Sequence, residues 1–200
     1  MRNNTRKLII VLIIILCIST VWAIRYVTLN DSFNAKYGRP RILYDLESDI
    51  PLGENMLERN VTADGYVLKF GGIELITPAE LVESYNIPDD ALIDLDTHVE
   101  YLLLIPVTVK NLNNVADALY YEDLIVYAID WCAYLDSNWT ALINNDWEIH
   151  KRCEIGDQQT YYLVYQPKDM LTGERLINFA QEEVWMHITY YPTMIDASLQ

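Results

Sequence analysis

The feature that most constrains this chain is a run of seventeen residues without a charge near its N-terminus. The segment 8–24 reads LIIVLIIILCISTVWAI, and three basic residues precede it: Arg2, Arg6 and Lys7. As a helix the segment would span about 25 Å, close to the ~30 Å hydrocarbon core of a bilayer. Because basic flanks stay on the cytoplasmic side, the pattern predicts a cytoplasmic end at 1–7, a transmembrane anchor at 8–24 and an extracytoplasmic remainder.

A cleaved signal peptide is the alternative to this anchor. Val21-Trp22-Ala23 loosely fits the small-residue rule that precedes a cleavage site, and the protein would then be secreted. The uncut anchor is favoured, since the apolar run exceeds the usual core of a signal peptide and the bulky Trp22 does not assist cleavage. Residues 25–50 lack periodicity and predict a stalk or lead-in, which leaves 51–200 as one extracytoplasmic domain.

The charge of the chain excludes one large class of partners. The net charge is -15, and four of the fourteen cations lie in the N-terminal segment, so the remainder carries 10 minus 29, or -19. A surface this negative repels phosphate backbones, whose binding depends on Lys and Arg. We therefore expect no nucleic-acid partner, and cations and basic partner proteins remain open.

Stretches rich in β-branched and aromatic residues recur beyond residue 65, with polar turns between them. They lie at 66–70, 73–76, 99–110, 122–135, 159–166 and 183–191, with shorter candidates at 139–143 and 147–150. One helix start is evident, where Thr77 and Glu80 form a capping box around Pro78. Without a regular alternation of strands and helices, the pattern predicts a mainly β fold, an antiparallel sandwich with one short helix.

One strand contains a proline. Pro106 interrupts the apolar run at 99–110 and cannot donate a hydrogen bond to a neighbouring strand. The sequence therefore predicts that this point faces an edge or a bulge of the sheet.

Alternating acidic residues give the one candidate metal site. In an extended backbone, side chains two residues apart share a face, where oxygen ligands suit a hard cation such as Ca²⁺. The candidate ligands are Asp94, Asp96, His98 and Glu100. The alternative is a solvated strand entry in an acidic protein, since the stretch lacks the glycine-assisted turn of many Ca²⁺ loops.

Two cysteines lie beyond the apolar segment. Cys132 and Cys153 are an even number of cysteines in what would be an oxidising compartment, which allows a disulfide between them. Two unpaired thiols are the alternative, because sequence does not reveal whether the two Cα atoms come within bridging distance.

Motifs of catalysis are absent from the sequence. It contains no G-x-S-x-G, no G-x-G-x-x-G, no G-x-x-x-x-G-K and no H-E-x-x-H. We therefore expect no catalytic residues and no cofactor. The dense tyrosines and tryptophans of the second half fit a packed core, with a recognition surface as the alternative.

Several short motifs occur together in one order along the chain. They are Pro51-Leu52-Gly53-Glu54, Asp64-Gly65-Tyr66, Thr77-Pro78-Ala79-Glu80, Tyr101 to Asn111, Tyr161 to Tyr165 and Trp185 to Pro192. In these the chain resembles an uncharacterised family of membrane-anchored extracytoplasmic proteins from Gram-positive, clostridia-like bacteria, related to immunoglobulin-like domains of the immunoprotective extracellular type. The resemblance implies an Ig-like β-sandwich behind a membrane anchor and assigns no functional residues.

These observations lead to one expected role and two alternatives. We expect a non-catalytic Ig-like module displayed outside the membrane, working through protein contacts or as part of the envelope. The first alternative is a ligand- or Ca²⁺-binding surface domain that uses the stretch from Asp94 to Glu100. The second is a surface hydrolase.

Overall fold

The computed structural model describes residues 12–28, 40–55, 63–92, 95, 99–114, 119–129, 131–144, 153–167, 179, 182–189 and 193–200. The chain divides into two units, Met1–Arg39 and Pro40–Gln200. In the first unit, residues 12–28 form helix α1 with exposed side chains.

The transmembrane helix expected at 8–24 corresponds in part to α1. Residues 8–11 lie outside the described residues. In the part of the chain that the structure describes, no helix combines the length and the apolar character needed to cross a membrane.

The second unit is mainly β, as the sequence predicted. Its described strands are β1 (Arg41–Tyr44), β2 (Ile50–Pro51), β3 (Tyr66–Phe70), β4 (Glu74–Ile76), β5 (Leu102–Asn111), β6 (Ile125–Tyr127), β7 (Cys132–Leu135), β8 (Gln158–Gln166), β9 (Trp185–Thr189) and β10 (Met194–Ser198). Its described helices are α2 (Pro78–Tyr85), α3 (Ser137–Ile143) and two short 3-10 helices, Asp89–Leu92 and Tyr121–Asp123.

The strands form one nearly closed sheet. Their order is β1-β10-β9-β6-β7-β8-β5-β3-β2, and β4 pairs with β5 beside β3. Strand β7 pairs with both β6 and β8, so the two halves of the sheet are continuous. The predicted antiparallel sandwich is wrong in one respect, because β1 pairs with β10 in parallel and the sheet is mixed.

The core explains why the first half of β5 is apolar on both faces. Alternate residues of a strand point to opposite sides, and both sides of β5 are covered from Leu102 to Ile105. The main core inside the sheet contains Leu103, Ile105, Val107 and Val109. A second cluster outside it contains Leu102 and Leu104 with Leu81 of α2 and Trp139 of α3.

Pro106 lies at a break in the strand beside β5. Strand β3 ends at Phe70 and β4 begins at Glu74, and between them the Gly71 N–H donates to the Pro106 carbonyl at 2.8 Å. Because the N–H and C=O of one strand residue point to the same side, the N–H that Pro106 lacks would have pointed at this break. A Cβ at Gly71 would lie 2.5 Å from Pro106 Cγ, so the close approach requires glycine.

Helix α2 confirms the capping box predicted at its start. The Glu80 N–H donates to the Thr77 hydroxyl at 3.2 Å, and the Thr77 N–H donates to the Glu80 carboxylate at 2.9 Å. Asn86 ends the helix in the left-handed region, with φ 51°.

Helix α3 corrects two predictions. The candidate strand at 139–143 is helical, so the expectation of a single short helix was wrong. The Asp136 carboxylate accepts hydrogen bonds from the N–H groups of Asn138 and Trp139. This N-cap starts a helix in a segment whose apolar residues fit either a strand or a helix.

The strand predicted at 122–135 is divided by a turn into β6 and β7. The candidate at 147–150 lies outside the described residues.

The folded unit begins earlier than residue 51. Residues 41–50, assigned from sequence to the lead-in, contribute β1 and the first residue of β2. The compact unit therefore starts at Pro40.

Candidate functional site

A cluster of charged side chains lies on the outer face of the sheet where β1, β10 and β9 run side by side. Ile195 and Ala197 of β10 point into the main core, so Asp196 between them points outward. The Arg41 Nε donates to Asp196 Oδ2 at 2.6 Å, and the His187 Nδ1 lies 2.7 Å from Asp196 Oδ1. The hydrogen bond from Arg41 to Asp196 joins β1, the first strand of the folded unit, to β10, its last described strand.

Burial makes these contacts necessary. The Asp196 side chain is 0% exposed and that of His187 is 6% exposed, whereas that of Arg41 is 45% exposed. A buried carboxylate is tolerated only when it is paired and hydrogen-bonded. Because an ionised carboxylate only accepts hydrogen bonds, the Nδ1 of His187 carries a hydrogen and donates a hydrogen bond to Asp196 Oδ1.

Two pKa shifts accompany this arrangement. Burial alone would raise the pKa of Asp196, but hydrogen bonds from His187 and Arg41 outweigh burial and hold the pKa below its ordinary value. The hydrogen bond to Asp196 raises the pKa of Arg41. Asp196 is therefore an anion at neutral pH.

Arg41 also extends the cluster to β6. Its Nη2 donates to the Tyr127 hydroxyl at 2.6 Å, and the Tyr127 ring meets the His187 imidazole edge to face, with centroids 6.5 Å apart. Burial and the nearby Asp196 raise the pKa of Tyr127. The phenol stays neutral and supplies an aromatic wall.

A surface depression of about 300 Å³ lies over these side chains. We call it the outer-face site, and its lining residues are Arg41, Ile125, Tyr127, His187 and Met194. Its walls are mainly apolar, and its charged groups are already paired with one another. The arrangement suits contact with an apolar or aromatic side chain better than the capture of a free ion.

A second, more polar depression of about 260 Å³ lies on the outer face of the other half of the sheet. It is lined by Asp49, Val67, Lys69, Thr108, Lys110 and Gln158. The lysines are in one recess with Asp49, which reduces the attraction of this recess for an anion.

The candidate metal ligands fall mostly outside the structure. Asp94, Asp96 and His98 lie outside the described residues, and Glu100 is exposed just before β5. Over the described ranges, no group of three or more His, Cys, Asp or Glu side chains is placed to hold a metal ion. The four-residue site stays a prediction.

The structure does not bring Cys132 and Cys153 together. Both are free thiols. Cys132 precedes Tyr134, which pairs with Gln166 at the end of β8, whereas the Cys153 Sγ lies 3.4 Å from the Asp157 carbonyl before the start of β8. Strand β8 has nine residues, so the two cysteines are separated by roughly its length, at about 3.3 Å per residue.

Sequence reasoning missed the partners of His187. Asp196 did carry a signal, since a lone carboxylate between Ile195 and Ala197 in an apolar segment indicates a buried, paired charge. Arg41 carried none, because its pairing with Asp196 joins residues 155 positions apart.

A comparison with known protein families gives a match that covers most of the folded unit. The profile described as a domain of unknown function (DUF5028) matches residues 41–195. The chain belongs to this family. The DUF5028 region begins at β1 with Arg41 and ends in β10, so it contains every lining residue of the outer-face site. No curated protein and no solved structure matches the chain.

Proposed function

We propose that this DUF5028 protein is a non-catalytic binding module, held at a membrane by residues 8–24 and displayed on the extracytoplasmic side. It contacts a partner protein through the outer-face site. The observation that carries this proposal is the mainly apolar depression over the Arg41, Asp196 and His187 cluster.

The contrast between this site and the rest of the unit supports a protein partner. Residues 40–200 contain 8 Lys or Arg against 28 Asp or Glu, a net charge of -20. An apolar recess with Tyr and Arg at its wall has the composition of an interface core, where charge is depleted and those two residues are enriched. The hydrogen bonds of Asp196 with Arg41 and His187 hold the recess in one shape before a partner arrives.

The membrane part of the proposal rests on the N-terminal segment. Large apolar side chains of α1 are more than half exposed, among them Leu12, Leu16 and Ile18. Exposure of a continuous apolar surface of this kind to water is unfavourable, and a lipid bilayer would remove the surface from water. The three basic residues before the segment support a cytoplasmic N-terminus.

The relation to Ig-like domains of the immunoprotective extracellular type, and to Gram-positive membrane-anchored proteins, is also a proposal. The mainly β architecture of residues 40–200 supports it. A solved structure whose strands superimpose on those of an Ig-like domain would test it.

Site-specific photocrosslinking in the native host tests the binding function. A photoreactive phenylalanine replaces Tyr127 in the outer-face site or, as the control, Tyr134 on β7, which is 61% exposed and thus more accessible. We expect a discrete protein adduct from position 127 only. Adding Met194→Glu should lower its yield about fivefold, because a charge would enter the apolar recess.

Two outcomes would contradict this function. The first is the same adducts from positions 127 and 134. The second is an adduct from position 127 whose yield Met194→Glu leaves unchanged.

Cation binding at Asp94, Asp96, His98 and Glu100 has its own test. A Ca²⁺ ion that binds the native state must raise the thermal unfolding midpoint of the full chain. A midpoint that Ca²⁺ leaves unchanged would remove this alternative.

A further inference from the structure

Within the described residues, strand β1 ends the sheet and no strand pairs with its outer edge. Among the described strands it pairs only with β10. The Met194 N–H donates to the Pro40 carbonyl at 2.8 Å, so the backbone groups of residues 40, 42 and 44 point at β10. Since these groups alternate along a strand, the N–H and C=O of Arg41 and Leu43 point to the open side.

The side chains on this edge are apolar and accessible on both faces. Ile42 is 43% exposed and Leu43 is 52% exposed. Tyr44 packs against the main core, so Ile42 shares its face and Leu43 lies on the opposite one. A strand added beside β1 would therefore gain apolar contacts above and below the sheet.

At the other end of the sheet, β2 has features that oppose pairing with a further strand, whereas β1 lacks these features. Strand β2 has two residues, and one of them, Pro51, lacks an N–H. Short length and proline are ordinary means of blocking edge-to-edge pairing. β1 carries no proline or lysine and presents Ile42 and Leu43 instead.

Charge indicates what kind of strand fits. Asp45 and Glu47 follow β1 directly and are exposed, in a unit of net charge -20. The one cation of β1, Arg41, is paired with Asp196. An incoming segment with basic residues gains attraction from these carboxylates, whereas an acidic one is repelled.

We infer that the open edge of β1 binds an extended segment of a partner protein by strand addition, and that this segment alternates apolar with basic residues. The inference rests on the proposed function, because it specifies how the partner is bound. Backbone hydrogen bonds to Arg41 and Leu43 give the affinity, and Ile42 and Leu43 select apolar side chains.

The first test uses a synthetic peptide of alternating valine and lysine with the full chain in detergent micelles. A copy with N-methylated central amides has the same charge but cannot donate along its edge. We expect the unmethylated peptide to bind about tenfold more tightly and to slow hydrogen exchange of the Leu43 amide. Equal binding of the two peptides, or unchanged exchange at Leu43, would overturn the inference.

The second test changes the edge itself. Leu43→Pro removes an N–H that points away from β10, whereas Leu43→Thr keeps that N–H and introduces a β-branched side chain, which suits a strand. We expect about a tenfold loss of peptide binding in the proline variant and less than about a threefold loss in the threonine variant. Equal losses in both variants would contradict strand addition. Should Leu43→Pro fail to fold, the comparison of the two peptides on the unchanged protein decides.

The outcomes separate this inference from the proposed function. An adduct at position 127 that survives Leu43→Pro would leave the outer-face site as the binding surface and refute the β1 edge. Absence of any adduct at position 127, together with selective peptide binding at β1, would refute the outer-face site and keep the edge.

Discussion

Asp196 determines the shape of the outer-face site. Its two carboxylate oxygens are divided between β1 and β9, one accepting from Arg41 and the other from His187. Because this carboxylate is buried, losing its charge leaves two donors facing a neutral group. The site is therefore most sensitive to substitution at this position.

The substitution Asp196→Asn should lower the free energy of unfolding by about 2 kcal/mol near neutral pH. This is less than for a fully buried pair, since Arg41 is 45% exposed and its charge is screened by solvent. Urea unfolding followed by tryptophan fluorescence measures the difference. Asp45→Asn, an exposed carboxylate beside β1, is the control and should change little.

The effect should also depend on pH. The folded-state pKa of Asp196 is lowered, so its stabilisation is complete above the unfolded-state pKa and is lost as pH falls through the folded value. The difference between wild type and Asp196→Asn should therefore shrink below about pH 4. A difference that stays constant into strong acid would contradict the charged role of Asp196.

At the scale of elements, α3 completes the hydrogen bonding of β8. Strand β7 pairs only with Tyr165 and Gln166 of β8. Earlier along β8, the Val164 N–H donates to the Thr140 hydroxyl at 3.0 Å, and the Tyr162 N–H donates to the Asn144 side-chain oxygen at 2.8 Å. Thr140 in α3 and Asn144 next to it thus accept the hydrogen bonds that a neighbouring strand would otherwise accept from this part of β8.

The substitution Thr140→Val tests this role of α3. Valine has the shape of threonine but leaves the buried Val164 N–H without its acceptor, which should lower the free energy of unfolding by about 2 kcal/mol. Thr140→Ser keeps the hydroxyl and should cost less, as measured by denaturant titration. A serine variant as unstable as the valine variant would show that packing, and not this hydrogen bond, is what matters.

The sequence correctly predicted the elements that depend on interactions between residues close together in the chain. The Thr77 and Glu80 capping box lies within four residues, and α2 is where it was expected. Helix α3 escaped prediction because Trp139 to Ile143 is a short segment with Thr140 as its single polar residue, so its periodicity does not distinguish a strand from a buried helix. The parallel pairing of β1 with β10, and with it the outer-face site, joins the two ends of the folded unit and leaves no local pattern.

For the molecule as a whole, buried tyrosines should set the alkaline limit of stability. Burial raises the pKa of Tyr161 to about 12 and raises those of Tyr121 and Tyr165 well above their ordinary value. A raised pKa in the folded state means that stability is complete below the unfolded-state pKa and is lost as pH rises. We expect unfolding above about pH 10, coincident with a cooperative rise in tyrosinate absorbance. Ionisation of all tyrosines without loss of near-ultraviolet circular dichroism would contradict the packed core.

We propose that the acidic DUF5028 unit is displayed outside a membrane, and one labelling measurement tests this location directly. Ile155 is 49% exposed, whereas Cys153 is buried and Cys132 is half-buried. In intact cells or spheroplasts, a membrane-impermeant maleimide should label full-length Ile155→Cys in the membrane fraction well above the unsubstituted chain. Labelling only after lysis, with the protein in the soluble fraction, would contradict display outside a membrane.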